Sequence, residues 1–257
     1  ADERLNLHTL NLPDEVRVLL ERLRVHQPNS RKIRLGQAND GGYILPASVL
    51  ERCSRLVSIG ISNDSRFEED WFEATGKPVS MFDGSGPCPA ICQRWPSGDR
   101  TPIRFTQRHV GNTPEQVTLA DAIAGPPGLL LKMDAEGAEY ETIPLTDLSG
   151  CAALLLEVHD LGQPAYRTRL VDILRQIDRD FVLVHLHGNN CRTALPLPAS
   201  LQGAGAGLPA VIELTFVNRR HHGPLLALDD ARYPIAGLDA PNDPSLLDHD
   251  LAWVNRY

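Results

Sequence analysis

Short apolar runs closed by turn residues recur along this chain and set its architecture. They fall at residues 56–61 (LVSIGI), 79–82 (VSMF), 103–106 (IRFT), 129–133 (LLLKM), 151–158 (CAALLLEV), 181–186 (FVLVHL) and 211–217 (VIELTFV). Continuous apolar runs of this length suit strands covered on both faces. Helix-period segments alternate with them, at 65–75, 114–124 and 164–180, the last with Leu170, Ile173, Leu174 and Ile177 on one stripe. An earlier amphipathic helix is expected at 13–27, where acids come first and basic residues last. Alternating strands and helices predict an α/β fold with a mostly parallel sheet and helices on both faces. No helix pattern separates the sixth run from the seventh. A parallel crossover is usually helical, so the seventh strand is expected to be antiparallel.

In open α/β sheets, ligands sit beyond the carboxyl ends of the strands, and here those ends carry the chemistry. The fourth run breaks from Lys132 and Met133 into Asp134, Glu136, Gly137 and Glu139; the fifth ends in Glu157 and His159, and the sixth delivers His187 and Asn189. These groups are expected to converge although they are distant in sequence. Glu139 reads more simply as a helix N-terminal acid, and Lys132 as either a buried ion pair or a substrate contact. The first run ends at Gly60 and continues through Ser62, Asn63 and Asp64 into a helix, with Asp83 closing the second run. A glycine turn followed roughly 20 residues later by an acid is the arrangement that binds a nucleotide-type ligand, although the full G-x-G-x-x-G is absent. His109, Gly111 and Asn112 follow the third run. Asn39-Asp40-Gly41-Gly42 is a turn before Tyr43-Ile44-Leu45, readable as a surface hairpin or as a loop bringing backbone against a ligand.

Length and composition narrow the class. The 257 residues fit one large α/β domain, organised here as an N-terminal cover (1–50), a central domain (51–220) and a Pro- and Asp-rich tail (221–257) expected to wrap the rest. With a net charge of −8 the chain is a poor nucleic-acid partner. No apolar run has the length of a membrane span. The five cysteines are scattered, with only Cys88 and Cys92 as a C-x3-C candidate for zinc. A soluble cytoplasmic protein in a reducing compartment is the expectation; composition does not address oligomeric state.

Six βα-type strands with an antiparallel seventh are the layout of class I S-adenosylmethionine-dependent methyltransferases, a Rossmann-like fold. Lys132-Met133-Asp134-Ala135-Glu136-Gly137-Ala138-Glu139 resembles the K-x-D-x-E-G-x-E signature of the FkbM-type methyltransferases. The Asp40-Gly41-Gly42-Tyr43 turn, Phe82-Asp83, Glu157-Val158-His159 and the strand from Glu213 to Arg219 resemble further positions of that family. The first glycine loop departs from the pattern in being poor in glycine.

The resemblance implies S-adenosylmethionine as cofactor, with Gly60, Ser62 and Asn63 at its methionine end and Asp83 on the ribose. His109 and Gly111 would lie near the adenine. It also implies a small-molecule or glycan acceptor, methylated on a hydroxyl of a sugar, glycan or natural product. Asp134, Glu136, His159 and His187 are the catalytic candidates. Asp134 and Glu157 are placed as metal-binding acids are in metal-dependent O-methyltransferases, with Mg²⁺ or Mn²⁺ as the ions such oxygen ligands suit. A metal-dependent hydrolase or nucleotide-sugar enzyme on the same fold, and a non-catalytic binding protein, remain as alternatives.

Overall fold

A computed structural model of the chain describes residues 6–87, 89–95, 102–201, 207–222 and 227–257. Two strands, β1 (Lys32–Gly36) and β2 (Gly42–Pro46), form an antiparallel hairpin ahead of the main sheet. The main sheet contains β3 (Arg55–Ile59), β4 (Val79–Phe82), β5 (Ile103–Thr106), β6 (Leu129–Met133), β7 (Cys151–Val158) and β8 (Phe181–Gly188). A short ladder of β9 (Ala194–Pro196) and β10 (Gly207–Pro209) precedes the last strand, β11 (Ile212–Asn218). The seven main strands lie in the order β5-β4-β3-β6-β7-β11-β8. All are parallel except β11, which is antiparallel to both neighbours. This is a Rossmann-like, mostly parallel sheet with its one antiparallel strand lying between the fifth and sixth main strands.

Alternate residues of each strand feed two cores. Leu129, Leu131, Leu154, Leu156, Leu183 and Leu214 face α1 (Asp14–Arg22) and α7 (Pro164–Ile177). Leu56, Leu130, Leu155 and Val184 face the hairpin, α2 (Ser48–Arg52), α3 (Arg66–Thr75) and α4 (Ala90–Arg94). The sheet is therefore buried on both sides, which explains why its strands read as unbroken apolar runs. The chain moves outward from β3 to β4 and β5, then crosses back to β6. That reversal falls at the carboxyl ends of β3 and β6, where open α/β sheets place their ligands.

Several local elements differ from expectation. The helix expected at 114–124 is only α5 (Leu119–Ile123), because Thr118 caps it by accepting from the Asp121 N–H and Val117 instead bridges to Val110. The helix after β6, α6 (Glu139–Thr142), is one turn long and passes into a 3₁₀ turn at Ile143–Leu145, where Pro144 cannot continue the α-helical ladder. The last helix, α8 (Arg219–His222), is a single turn. The β9–β10 ladder brackets residues 197–206, of which 202–206 lie outside the described residues. The hairpin is not a surface one, since every residue of β2 is buried. Of the zinc candidates, Cys88 lies outside the described residues and Cys92 is disulfide-bonded, so its sulfur is no metal ligand. No helix among the described residues is long and apolar enough to cross a membrane.

Residues 227–257 form no helix and no strand beyond the single bridge of Leu228 to His26. They are nonetheless anchored by buried side chains. Tyr233, Leu251 and Trp253 are fully buried, and Trp253 donates its indole N–H to the Gly207 carbonyl at 2.9 Å. The Tyr257 hydroxyl donates to the Leu20 carbonyl, and Lys32 pairs with Asp229 at 2.7 Å. Replacing Trp253 by Ala should remove this anchor and leave a cavity, costing about 3–5 kcal/mol. The expected readout is a lower urea midpoint with an unchanged slope.

Candidate active site

The loops after β3, β4 and β5 form one continuous rim. Gly60 ends β3 in the left-handed region (φ +76°), and a Cβ there would stand 1.5 Å from the Asp134 carbonyl oxygen. Only glycine allows the turn after β3 to lie against the start of the acidic loop after β6. Asp83 closes β4 and is turned toward that turn. Its Oδ2 accepts the N–H groups of Ile61 (2.9 Å) and Ser62 (2.6 Å), while Oδ1 accepts the N–H and hydroxyl of Ser85 (2.7 and 2.5 Å). Burial alone would raise this carboxyl's pKa, but these four donors bring it below the usual carboxylate range. Ser62 itself sits at φ +52°, a conformation usually left to glycine. Asp83 thus supplies the rigidity that extra glycines do not provide here. Ser62 and Asn63 are exposed at the crest of the turn. His109 packs its ring against Gly84, where a Cβ would meet it at 2.3 Å, so the third loop touches the second. Gly111 is buried against the Gln116 side chain.

Beside this rim, the carboxyl ends of β6, β7 and β8 and the amino end of the antiparallel β11 present a row of ionisable groups. Glu213 is in register with Glu157 on one side and with His187 on the other. Asp134 lies one residue past β6, next to Glu157. Tyr43, delivered by the hairpin, directs its hydroxyl at both Glu157 Oε2 (3.0 Å) and Asp134 Oδ2 (3.3 Å). Thr215 fixes the hairpin over β11 by donating to the Ile44 carbonyl at 2.6 Å. Asn189 donates to Glu157 Oε1 at 3.0 Å. His159 approaches from the loop after β7, with Nδ1 2.9 Å from Glu139 Oε1. Its Nε2 faces Asp134 Oδ1 and Glu136 Oε2 at 3.7 Å and Glu157 Oε1 at 3.8 Å. Asp134, Glu157 and His159 can offer ligand atoms that all lie within 4.8 Å of one another. Glu136 lies on the solvent side, 83% exposed.

Electrostatics divide the two histidines from the acids. Burial raises the pKa of Glu157 well above its ordinary value, and the nearby charges of Asp134 and Glu213 raise it further. Asp134 moves the same way, chiefly by burial, against the pull of Lys132 and His159. Burial works against a charged His159, but Glu139, Glu157 and Asp134 lift it to about 9. His187 is likewise opposed by burial, yet carboxylates on both ring nitrogens, Asp248 at 3.1 Å and Glu213 at 3.2 Å, raise it to about 10. An imidazole held this way donates two hydrogen bonds at neutral pH and has no lone pair for a substrate proton.

All the candidates from the acidic loops therefore meet, while His187 belongs to a neighbouring network with Glu213, Asp248 and Asn242. Asn242 bridges Glu213 (2.9 Å) and Asp40 (3.0 Å). Sequence reasoning missed the parts played by Tyr43, Glu139, Glu213 and the two tail residues. Glu213 had a signal, being a single acid inside the apolar run VIELTFV. Lys132 is the buried ion pair of the two readings offered: its Nζ lies 3.7 Å from Glu68, which also takes the Ser58 hydroxyl at 2.5 Å, and it stands over the Tyr43 ring.

No family model and no curated protein matches the chain. Among solved structures it is similar to a 1,6-didemethyltoxoflavin-N1-methyltransferase of Burkholderia thailandensis, bound to 1,6-didemethyltoxoflavin and S-adenosylhomocysteine. That match has 15% identity and a TM-score of 0.37 over 66% of this chain and 72% of that one. A protein of Lactococcus lactis provisionally named a hemolysin is similar at 15% identity and TM-score 0.36, over 64% of this chain and 77% of that one. At such scores neither likeness bears on activity, and the fold assignment rests on the strand order.

The His187 pairing makes a pH prediction. Its folded-state pKa of about 10 lies above the unfolded value of about 6.5. The stabilisation is therefore full below about pH 6.5 and is lost as the pH rises through about 10. Thermal melts from pH 6.5 to 10.5 should show a steeper loss for the native chain than for His187→Gln, and parallel curves would rule the pairing out.

Proposed function

We propose that this chain is an S-adenosylmethionine-dependent methyltransferase of FkbM type that methylates a hydroxyl of a sugar, glycan or related natural product. The observation that carries the reading is the backbone contact of Gly60 with Asp134. It joins a nucleotide-type rim to a group of acids, so that a bound cofactor and an acceptor would meet at one edge. The rim fits the cofactor in that Gly60, Asp83 and His109 form connected surfaces at the switch point of the sheet. The exposed Ser62 and Asn63 would face the methionine end, and Asp83 the ribose. Both oxygens of Asp83 already accept two donors, so a ribose hydroxyl would replace one of them, most simply the rotatable hydroxyl of Ser85.

Transfer from sulfonium to oxygen requires an aligned acceptor and a group to take its proton. Alignment of two bound reactants supplies much of the acceleration. Asp134 is the acid best placed for the proton: it is partly open to solvent, and its raised pKa makes it a stronger base than an ordinary carboxylate. Glu136 would contact acceptor groups at the rim. His159 and His187 carry protons at neutral pH and act by charge and hydrogen bonding in the metal-free chain. The donor set also fits a divalent cation, because Asp134 and Glu157 place two carboxylates together with too little positive charge around them. Such a cation, when bound, would lower the pKa of the acceptor hydroxyl.

Calorimetric titration of the full chain with S-adenosylhomocysteine, with and without Mg²⁺ or Mn²⁺, tests the reading. Micromolar binding is expected. Absence of binding under every condition would sink the proposal and leave the acids to a hydrolytic or binding role. In a subsequent acceptor screen, Asp134→Ala should lose at least about 100-fold in turnover with its circular dichroism unchanged.

A further inference from the structure

Asp134, Glu157 and His159 are each oriented from behind, and what they are oriented toward is a common point. Each carboxylate splits its oxygens: Asp134 gives Oδ2 and Glu157 gives Oε2 to the Tyr43 hydroxyl, while Oδ1 and Oε1 face His159. Asn189 holds Glu157 from a third side, at Oε1. The His159 ring is fixed through Nδ1 by Glu139, a fully buried carboxylate that is itself held by the Gly137 N–H at 2.8 Å. A carboxylate on the far nitrogen of an imidazole is the usual partner of a metal-binding histidine.

The spacing of the near atoms says what belongs among them. Nε2 stands 3.7 Å from Asp134 Oδ1 and 3.8 Å from Glu157 Oε1, too far for a direct hydrogen bond to either. Ligand atoms each about 2.1 Å from one cation lie roughly 3 Å apart when adjacent and roughly 4.2 Å apart when opposite. Both separations from Nε2 fall inside that interval, and all three ligand atoms lie within 4.8 Å of one another. Three side chains, Glu157 within β7 and Asp134 and His159 just past β6 and β7, are thus gathered with His159 spaced from both acids as a shared ion would space it and not as a direct hydrogen bond would.

The structure assigns to Asp134, Glu157 and His159 a divalent-cation centre in which His159 is a ligand, Glu139 its positioning residue and Tyr43 the clamp on the two acids. It deepens the proposed function by naming the partner of that site, but its geometry holds whether or not methyl transfer occurs there. Two carboxylates with one imidazole favour a first-row ion over Mg²⁺, which prefers an all-oxygen shell. Mn²⁺ accepts both donor types and is the probe of choice.

The experiment uses the full chain stripped with chelator and titrated with Mn²⁺ in the absence of any cofactor. Free Mn²⁺ is followed by electron paramagnetic resonance, and the bound ion by pulsed measurement of nitrogen coupling. One Mn²⁺ per chain with an imidazole nitrogen coupling is expected, with Mg²⁺ competing at least about tenfold more weakly. His159→Ala should abolish the nitrogen coupling, with His159→Gln as the substitute if that variant fails to fold. Glu139→Gln should weaken binding by about 10- to 100-fold, whereas Asp172→Asn, the same charge change on an exposed face, should not. Failure to bind Mn²⁺, binding without nitrogen coupling, equal affinity in Glu139→Gln, or Mg²⁺ binding as tightly as Mn²⁺ would each overturn the assignment. Titration with S-adenosylhomocysteine in chelator separates the two readings. Cofactor binding without Mn²⁺ binding defeats this inference alone, and Mn²⁺ binding without cofactor binding defeats only the methyltransferase reading.

Discussion

Like charge buried on adjacent strands is the constraint around which this molecule is arranged. Glu157 and Glu213 sit opposite each other on β7 and β11, with Asp134 beside Glu157, and all three are withdrawn from most of the solvent. Carboxylates in that position repel one another and lose hydration, so they persist only where donors and cations surround them. The surroundings come from every part of the chain. The hairpin contributes Tyr43, the loop after β7 His159, β8 His187 with Asn189 beyond it, and the tail Asn242. The hairpin and the tail are therefore structural partners of the acids as well as covers for the sheet.

The same constraint accounts for where the antiparallel strand lies. Inserting β11 between β7 and β8 puts Glu213 between Glu157 and His187, so the ionisable row runs unbroken across four strands. With β11 at the outer edge, His187 would stand next to Glu157, and Glu213 would lack its contact with Glu157. The tail completes the arrangement, because Asp248 takes the second nitrogen of His187 and Asp239 pairs with His185 two residues earlier on β8. Burial lowers the pKa of His185 despite that partner, whereas His187, with two carboxylates, is raised. One carboxylate more reverses the sign.

Strands were legible in the sequence because burial on both faces leaves an unbroken apolar run, and the antiparallel sense of the last strand because no crossover helix precedes it. Its insertion between β7 and β8 was not legible, since neighbour order is set by contacts between segments and leaves no local period. Helix lengths failed where one side chain decided them, as Thr118 does for α5 and Pro144 for α6. In the site, residues next to turns were found and those that act at long range were not. Glu139 looked like a helix-start acid because its partner, His159, is 20 residues away on another loop. Asp248 lies 61 residues from His187, and nothing in the composition of the tail marked it.

Resemblance to a motif and possession of its geometry also part company at the turn after β3. The Gly60-Ile61-Ser62-Asn63 stretch is poorer in glycine than the pattern it resembles. Instead, one glycine stands where backbone meets backbone, and Ser62 takes the second left-handed position with its N–H tied to Asp83. Conformational freedom that glycines would leave in such a loop is removed here by one carboxylate with four donors. The loop is thus held in shape by its own hydrogen bonds, and a ligand bound there would meet a lower ordering cost. It also narrows what Asp83 can accept. A poor match to a glycine pattern is in this case the mark of a different way of fixing the turn, since the strain at Ser62 is offset by hydrogen bonds that a glycine loop does not need.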